Sequence, residues 1–357
     1  MQNYHVIGLM SGTSLDGVDL AYCKFIFKNN SWEYQIIHAK CIQYDQLWKK
    51  KLANAENENA LAISMLDVEL GKYFAILINN FIEENNINAV DFIASHGHTI
   101  FHQPEHNLTL QIGSGASISA NTGISTVCDF RTMDVSMGGQ GAPLVPIGDR
   151  DLFSNFDFCL NIGGIANVSF NLNGERLAYD ICPANMMLNY YLPDKHMMFD
   201  HSGVIARSGS CNSDLLAELN KLAYYNQEPP KSLGKEWVLA NIYTLVSKFK
   251  LNNQDILATL VEHIAMQIAK SCRNTSKNPK VLITGGGAYH HYLIERINFH
   301  TSAQIIIPAA ELIEFKEALI FAFLGVLRMR NENNCLASVT GAKKDNCGGA
   351  VYFANQK

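Results

Sequence analysis

The sequence lacks the features that mark several common protein classes. Lys and Arg number 28 against 33 Asp and Glu, so the net charge is -5 and no positive excess is available for nucleic acid or an anionic membrane. No run approaches the roughly 18 apolar residues of a membrane span. The start of the chain also lacks the basic and apolar regions of a signal peptide. We therefore expect a cytoplasmic protein with small-molecule partners.

Several site signatures are also missing. The nine cysteines include no C-x-x-C pair, a spacing that favours reduced thiols over disulfides or a zinc site. The Walker pattern does not occur, and Gly285-Gly286-Gly287 lacks the later glycine of a dinucleotide fingerprint, since position 290 is His. The histidines between 96 and 106 match no metalloprotease spacing. We expect His96 or His98 to line a polar pocket by hydrogen bonding.

What is present is a repeated pattern of strands and glycine-rich turns. The chain has 357 residues and 48% hydrophobic content, enough for two domains. Strand-like runs around Val6 and Val18 flank a turn, and residues 32–37 add a third strand. The same order recurs from Phe158 to Asp180. These patterns predict two α/β lobes around one cleft, each opening with a β-hairpin.

The turn of the first hairpin, SGTSLDG from Ser11 to Gly17, has the composition of a phosphate site. Glycine lets backbone N–H groups approach a polyphosphate, hydroxyls donate to it, and a carboxylate holds Mg²⁺ through water. An ordinary hairpin turn is the alternative. A second glycine turn at Gly163 and Gly164 favours a clamp on nucleotide phosphates. The glycines at 285–287 are compatible with an adenosine-binding turn or with a plain helix N-terminus.

Two further residues stand near predicted strand ends. Arg131 lies between Asp129 and Asp134 in the sequence, and it is either a bidentate clamp for a substrate carboxylate or part of an internal Arg–Asp pair. Asp180 ends a predicted strand before Pro183, where it is either a general base or a helix cap. The residue types alone leave these alternatives open.

Eight motifs occur in the order of one protein family. Together they resemble the anhydro-N-acetylmuramic acid kinase family over essentially the whole chain. The resemblance implies an α/β, two-lobed actin-like ATPase (ribonuclease H-like) fold with nucleotide and sugar in the cleft between lobes, which we place at residues 1–132 and 133–357. The motifs are SGTSLDGVD (11–19), HGHT (96–99), LQIG (110–113), DFRxxDV (129–135), GGQGAPLVP (138–146), NIGGIANVS (161–169), GGGA (285–288) and SVTGA (338–342).

The resemblance implies an ATP-dependent kinase that opens the anhydro ring of 1,6-anhydro-N-acetylmuramic acid with water and phosphorylates O6. The products would be N-acetylmuramic acid 6-phosphate and ADP, in peptidoglycan recycling. Its cofactors would be ATP and Mg²⁺, its partner an amino sugar, and a homodimer is a family-level expectation. Two alternatives stay open: a kinase of the same fold acting on another small sugar or carboxylated metabolite, and a non-catalytic ATP-binding switch.

The same resemblance implies roles for individual residues. Asp180 corresponds to the catalytic base, and Asp16 lies near Mg²⁺. Arg131 and Glu317 match sugar-binding positions, and we add His96 to them as a pocket-lining residue. The nucleotide contacts would come from Gly12, Thr13, Ser14, Leu15, Asp16, Gly17, Val18, Asp19, Gly163, Gly164, Gly285, Gly286 and Gly287.

The sequence departs from the family beside the implied base. Where the family reads D-T-G-P-G-N, Cys182 and Ala184 replace the two glycines. A β-carbon at a position of positive φ would cost about 1–2 kcal/mol and shift Asp180. His98 stands where Gln is usual, and KSLGKE (231–236) replaces K-S-T-G-R-E. We expect activity, with an altered rate or sugar selectivity.

Overall fold

The computed structural model describes residues 2–194, 196–272 and 278–354. The chain separates into two compact units, one formed by residues 1–152 and 315–357 and the other by residues 153–314. This division differs from the expected one at residue 132. The reason is that the last strand of the chain pairs with the first sheet, a long-range contact that local sequence patterns do not reveal.

The strands alternate with helices along most of the chain, as expected for an α/β protein. Within the described residues the strands are β1 (Gln2–Ser11), β2 (Gly17–Lys28), β3 (Ser31–Gln43), β4 (Phe92–Gln103), β5 (Leu108–Ile112), β6 (Thr126–Cys128), β7 (Phe158–Ile162), β8 (Ile165–Leu172), β9 (Glu175–Pro183), β10 (Lys280–Thr284), β11 (Gln304–Ile306) and β12 (Ala350–Tyr352).

The helices range from single turns to seven turns. Among the described residues they are α1 (Gln46–Asn54), α2 (Ala60–Glu84), α3 (Gly115–Thr122), α4 (Thr132–Ser136), α5 (Val145–Leu152), α6 (Asn185–Tyr190), α7 (Val204–Ser208), α8 (Ser213–Asn220), α9 (Lys235–Trp237), α10 (Thr244–Val246), α11 (Asn253–Ser271), α12 (His291–His300), α13 (Ala310–Met329) and α14 (Ala337–Thr340). No helix of these described residues is long and apolar enough to cross a membrane.

The first unit is built on a mixed sheet with the order β12-β6-β4-β1-β2-β3, and β5 pairs with β4. β1 runs antiparallel to β2 and parallel to β4. Ser11 pairs with both Val18 and His98, so the turn of the first hairpin and the end of the β4 pairing lie at one edge of the sheet. The predicted three-stranded meander is confirmed, and its turn meets the HGHT motif there.

The second unit repeats this plan with the strand order β11-β10-β7-β8-β9. β7 runs antiparallel to β8 and parallel to β10, as β1 does with β2 and β4. In both sheets the order therefore reads third, second, first and fourth strand of the unit. The predicted internal duplication is present, and the ribonuclease H-like α/β class is confirmed.

Each sheet is covered by long amphipathic helices whose apolar residues recur at helical spacing. α2 begins after Asn59, whose side chain accepts a hydrogen bond from the Ala62 N–H, and it buries Leu66, Leu70 and Phe74 against the first sheet. α11 buries its own apolar stripe in the core of the second unit. These two cores hold the strand ends that carry the candidate residues.

α13 lies unusually close to β1. A β-carbon at Gly8 would stand 2.0 Å from the carbonyl oxygen of Ala318, so only glycine permits this approach. The helix packs Phe323 against Phe25 of β2. This close packing fixes the preceding residue, Glu317, beside the first sheet.

Candidate functional site

A buried polar chain supports the turn of the first hairpin. Ser11 Oγ lies 2.7 Å from the Tyr44 hydroxyl oxygen and 2.9 Å from His98 Nδ1. Burial lowers the pKa of His98 to about 4, so its imidazole is neutral near pH 7. The replacement of the family's Gln by His98 thus keeps a hydrogen-bonding partner for Ser11. The exposed side chains above this support are Thr13, Ser14 and Asp16.

The turn itself has a tightly determined backbone. Leu15 has a φ of 60°, and its N–H donates to the Gly12 carbonyl over 3.3 Å. Gly17 is required by packing, because its β-carbon would stand 2.4 Å from the Ile42 carbonyl oxygen. Val18 is fully buried and belongs to the core. The groups that the turn offers to a ligand therefore come from the residues before Gly17.

His96 and Arg131 form a fixed pair in the first unit. His96 Nδ1 lies 2.9 Å from the Gly97 carbonyl oxygen, and Arg131 donates from Nε and Nη2 to His96 Nε2 over 3.0 and 2.9 Å. Burial and the Arg131 charge lower the pKa of His96 to about 3. Its ring is therefore neutral, with the proton on Nδ1 and the lone pair of Nε2 facing the guanidinium.

Two of the five N–H donors of Arg131 have no hydrogen-bond partner among the described residues. Its third hydrogen bond runs from Nη1 to the Gly141 carbonyl oxygen over 2.7 Å, and a guanidinium has five N–H groups. Burial lowers the pKa of Arg131 to about 10, so it remains a cation at neutral pH. Its hydrogen-bond partners are His96 and Gly141 in place of the Arg–Asp pair considered from the sequence. Asp129 instead accepts from the Thr132 hydroxyl.

Asp134 fixes the loop that supplies Gly141. One carboxylate oxygen accepts from the Gly141 N–H over 2.8 Å, and the other accepts from the Thr340 hydroxyl and the Asn346 amide. The carboxylate is fully buried, so its hydrogen bonds compensate for its desolvation. The motif around Arg131 therefore contains two kinds of residue. Arg131 has N–H groups that are not used within the described part of the chain, whereas the Asp134 carboxylate has a structural role.

Glu317 supplies a carboxylate near Arg131. Solvent reaches its side chain, yet the surrounding protein reduces its hydration and raises the pKa of its carboxyl, an effect that Arg131 opposes and Asp19 reinforces. Arg131 and Glu317 form no hydrogen bond with one another. Together they offer two N–H donors and two carboxylate oxygens, which suits a ligand that carries both acceptor and hydroxyl groups.

The second hairpin turns through Gly163 and Gly164 and holds the start of α6. The Ala184 N–H and the Met186 N–H donate to the Gly164 carbonyl, and the Asn185 N–H donates to the Gly163 carbonyl. Asn185 also donates from its side chain to the Ile162 carbonyl over 3.3 Å. The turn is therefore rigid although it has no side chains of its own.

The glycines of the candidate site fall into two groups. At Gly285 and Gly287 a β-carbon would stand 2.6 Å or less from Asn161 or Ile162, so the fold itself requires glycine. At a second group a β-carbon would meet nothing closer than 3.4 Å, and none of its members has a positive φ. Packing and backbone conformation do not explain why glycine stands at the positions of that group. Its members are Gly12, Gly163, Gly164 and Gly286.

A pocket of about 480 Å³ opens beside Gly286 in the second unit. Phe199, Leu188 and Tyr289 give it apolar and aromatic walls, and Asn185 connects it to the second hairpin. Polar side chains, among them Asp200 and His290, complete its lining, and its size is typical of a small-molecule site. The predicted adenosine-binding turn thus borders a cavity that would admit a nucleoside.

Asp180 lies within β9 and opposes Asn167 of β8, so it does not cap a helix. Its Oδ2 accepts from the Leu233 N–H over 2.9 Å, and its backbone bonds to the Lys231 carbonyl and to the Tyr224 hydroxyl. Oδ1 has no hydrogen-bond partner among the described residues. Burial raises the pKa of the carboxyl, and the Leu233 N–H partly offsets this effect. One oxygen is held and the other is available, as a general base requires.

The two residues that replace the family's glycines beside Asp180 are Cys182 and Ala184. Neither Cys182 nor Ala184 has a positive φ, and both side chains are fully buried. Leu233, which stands where the family has Thr, acts on Asp180 through its backbone N–H, and that group does not depend on the side chain. Neither departure therefore places a β-carbon at a position of positive φ beside the candidate base.

The structure adds residues that the sequence did not single out. Tyr224 and the segment around Lys231 hold Asp180, and Tyr44 supports the first turn. The KSLGKE motif marks the segment around Lys231, but no local sequence pattern connects that segment with Asp180. Among the described residues no group of three or more His, Cys, Asp or Glu side chains is placed to hold a metal.

Comparisons with known proteins agree with these motifs. The family model described as anhydro-N-acetylmuramic acid kinase matches residues 4–354. Proteins of that name from Sulfurimonas denitrificans and Vibrio cholerae are each 34% identical, and each alignment covers 97% of this chain and 98% of the relative. One from Francisella tularensis subsp. novicida is 34% identical over 98% of both chains.

Similar solved structures are more distant. A glucokinase of the ROK family from Streptomyces griseus, in complex with glucose and AMPPNP, is 10% identical, with a TM-score of 0.41 over 90% of this chain and 98% of that one. The activator of the 2-hydroxyisocaproyl-CoA dehydratase from Clostridium difficile gives 12% and 0.44, over 91% and 97%. On the full-length family match and the sequence relatives, this chain belongs to the anhydro-N-acetylmuramic acid kinase family.

Proposed function

We propose that this protein is an ATP-dependent kinase that opens 1,6-anhydro-N-acetylmuramic acid with water and phosphorylates the released O6. The observation that carries the proposal is the Asp180 carboxylate, with Oδ2 held by the Leu233 N–H and Oδ1 without a partner in the described part of the chain. The products are N-acetylmuramic acid 6-phosphate and ADP. This reaction would return cell-wall fragments to cytoplasmic metabolism.

The glycines that packing does not require support the nucleotide part of the proposal. Gly12 in the first turn and Gly163 and Gly164 in the second leave space where a β-carbon would otherwise stand, and phosphate oxygens would approach their backbone there. Gly286 borders the pocket that would hold the nucleoside. Two members of the predicted contact set, Val18 and Gly287, are buried and shape these turns from within the core.

The exposed groups of the first turn fit a hydrated Mg²⁺. The Asp16 carboxylate is exposed and has no hydrogen-bond partner within the described residues, and the neighbouring Thr13 and Ser14 of the same turn are exposed as well. Carboxylate and hydroxyl oxygens are the donors that Mg²⁺ prefers, and this ion usually keeps several waters. When bound, Mg²⁺ would neutralise charge on the phosphates of ATP. Asp16 would hold it through water.

Arg131 and Glu317 would recognise the sugar. The two free N–H groups of Arg131 suit the lactyl carboxylate of the substrate, since a fixed guanidinium binds carboxylate in a bidentate manner. The Glu317 carboxylate would accept from sugar hydroxyl or amide groups. His96 makes both of its contacts within the protein, so we assign it to positioning Arg131.

Asp180 would act on the attacking water. Its free Oδ1 takes a proton while the water oxygen bonds to the anomeric carbon and the bond from that carbon to O6 breaks. O6 then attacks the γ-phosphorus in line, and the bond to the β,γ-bridging oxygen breaks to release ADP. A general base of this kind contributes about 10² to 10⁴ in rate. The raised pKa of Asp180 brings its proton affinity nearer to neutral pH.

The proposal is tested by incubating the protein with Mg-ATP and a panel of sugars that includes the anhydro sugar. Mass spectrometry should find one product that carries both one phosphate and one added water. Phosphorylation of a different sugar without added water would instead identify the alternative kinase. Nucleotide binding without transfer to any sugar would favour the ATP-binding switch.

A further inference from the structure

A second pocket, of about 290 Å³ and with polar walls, lies in the second unit beside β9. Tyr179 and Ile181 of that strand line it, whereas Asp180, which stands between them in the sequence, is not part of its lining. The pocket is therefore distinct from the free oxygen of Asp180. Its polar walls include Lys231 and Lys270.

The two lysines leave ammonium donors unused. Lys231 Nζ donates to the Tyr224 carbonyl over 3.3 Å, and Lys270 Nζ donates to the Tyr225 carbonyl over 2.8 Å and the Asn226 amide oxygen over 3.4 Å. An ammonium has three donors, so hydrogens remain on both. Burial lowers the pKa of Lys231, and repulsion by the Lys270 charge lowers it further. An anion between them would relieve that repulsion.

One residue of the pocket wall also carries a buried polar group without a partner. Tyr225 lines the pocket, is only 4% exposed, and its hydroxyl has no hydrogen-bond partner in the part of the chain that the structure describes. Leaving such a group unpaired costs folding free energy. Gln267 adds an amide beside it, and Glu228 adds one carboxylate. Two ammonium groups against one carboxylate leave the pocket with a net positive charge.

The wall of this pocket is also the support of Asp180. The Asp180 N–H donates to the Lys231 carbonyl over 3.2 Å, and the Tyr224 hydroxyl donates to the Asp180 carbonyl over 2.6 Å. The Leu233 N–H donates to the Asp180 side chain. A ligand that binds Lys231 would therefore restrain the segment 224–233, on which the position of the Asp180 carboxylate depends.

We propose that this pocket binds a compact phosphate, either inorganic phosphate or the phosphate group of a small monoester, and that its occupancy restrains the segment 224–233 that holds Asp180. A phosphate dianion matches two ammonium groups, and its several acceptor oxygens match the tyrosine hydroxyl and the amide. Binding at the pocket is independent of the proposed reaction. Only the effect on turnover rests on the proposed function.

The binding is tested by calorimetric titration of the full chain with inorganic phosphate and, separately, with glycerol 1-phosphate. We expect Lys270→Met to weaken binding by about tenfold or more, since it removes a charged donor. Tyr225→Phe should weaken it by a similar or smaller factor without lowering the melting temperature. Lys248→Met removes one exposed charge of the same unit and should leave binding unchanged. The tighter of the two ligands identifies the source of the phosphate.

Equal binding by the wild type and Lys270→Met would overturn the site, because phosphate would then be bound elsewhere, for example at the glycine turns. Absence of binding at millimolar phosphate would overturn it as well. The coupling is tested by measuring turnover with and without phosphate. We expect a change in kcat in the wild type that Lys270→Met abolishes, and an identical response in both proteins would overturn the coupling. Loss of all turnover with binding retained would count against the proposed reaction alone.

Discussion

The hairpins that open the two units have the same strand pairing but present different chemistry. The first turn runs from Gly12 to Asp16 and exposes hydroxyl and carboxylate side chains. The second is a short turn of Gly163 and Gly164, held by backbone N–H groups at the start of α6. The duplicated fold therefore has a glycine-containing hairpin turn in both units, with exposed polar side chains in only one of them.

The support beneath each turn differs in the same way. Ser11, Tyr44 and His98 form a buried side-chain network under the first turn. The second turn rests on main-chain bonds and on Asn185. We therefore expect the first turn to be sensitive to substitutions that change charge, and the second turn to be sensitive to substitutions that change backbone shape. Asp180 is the exception, because it is a charged side chain that belongs to the second unit.

The largest loss of activity is expected for the substitution of Asp180. Asp180→Asn keeps the size of the side chain and its acceptor for the Leu233 N–H but removes the proton-accepting carboxylate. We expect kcat to fall by about 10² to 10⁴. Nucleotide affinity should be unchanged. Turnover is measured with the anhydro sugar, and affinity by calorimetry.

Asp214→Asn is the matched control, since Asp214 is an exposed carboxylate of the same unit. It should retain full turnover. Near-normal turnover in Asp180→Asn would remove the second unit's one catalytic side chain from the comparison. The base would then have to be sought elsewhere.

Local patterns predicted much of the fold. The strands that flank the opening turn and the repeat of the opening plan are both present, because each pattern depends on residues that are contiguous in the sequence. The expected boundary at residue 132 differs from the observed units. Pairing of β12 with β6 brings residues from opposite ends of the chain together, and no local periodicity encodes such a contact.

The sequence predicts which residues belong to the candidate site better than it predicts the contacts between them. Asp180 and Arg131 were found through motifs, whereas the bond from Arg131 to His96 joins residues 35 positions apart in the sequence. The hydrogen bond from Leu233 to Asp180 joins residues 53 positions apart. Its donor is a backbone N–H, which every residue type except proline has, so the sequence does not reveal it. Such contacts need the folded chain to be seen.

The next effect tests the first turn by charge alone. Asp16→Asn preserves the size of an exposed side chain that has no partner among the described residues, so folding should be unaffected. We expect the Mg²⁺ concentration for half-maximal turnover to rise by about 10- to 100-fold, the usual cost of losing a group that binds a metal through its water shell. Glu33→Gln, an exposed charge change in the same unit, is the control. If the Mg²⁺ concentration for half-maximal turnover did not change, Asp16 would have no role in binding the metal, and the two turns would not differ in this function.

The smallest effect tests the second turn by shape. In Gly163→Ala the new β-carbon would stand 3.4 Å from the nearest protein atom, the Asn161 amide nitrogen, and φ is not positive, so the melting temperature should stay near that of the wild type. The methyl group would instead occupy the space through which a phosphate oxygen approaches the backbone. We expect the affinity for a non-hydrolysable ATP analogue to fall by about tenfold, the loss of one charge-assisted hydrogen bond.

Gly287→Ala provides the opposite case within the same unit. Its β-carbon would stand 2.2 Å from Ile162 Cγ2, so the substitution overpacks the core and should cost about 1–3 kcal/mol of folding free energy. Calorimetry and thermal unfolding of both variants separate the two causes. If Gly163→Ala lost stability and kept its affinity, the second turn would be a packing feature, and only the first hairpin would remain as a phosphate turn.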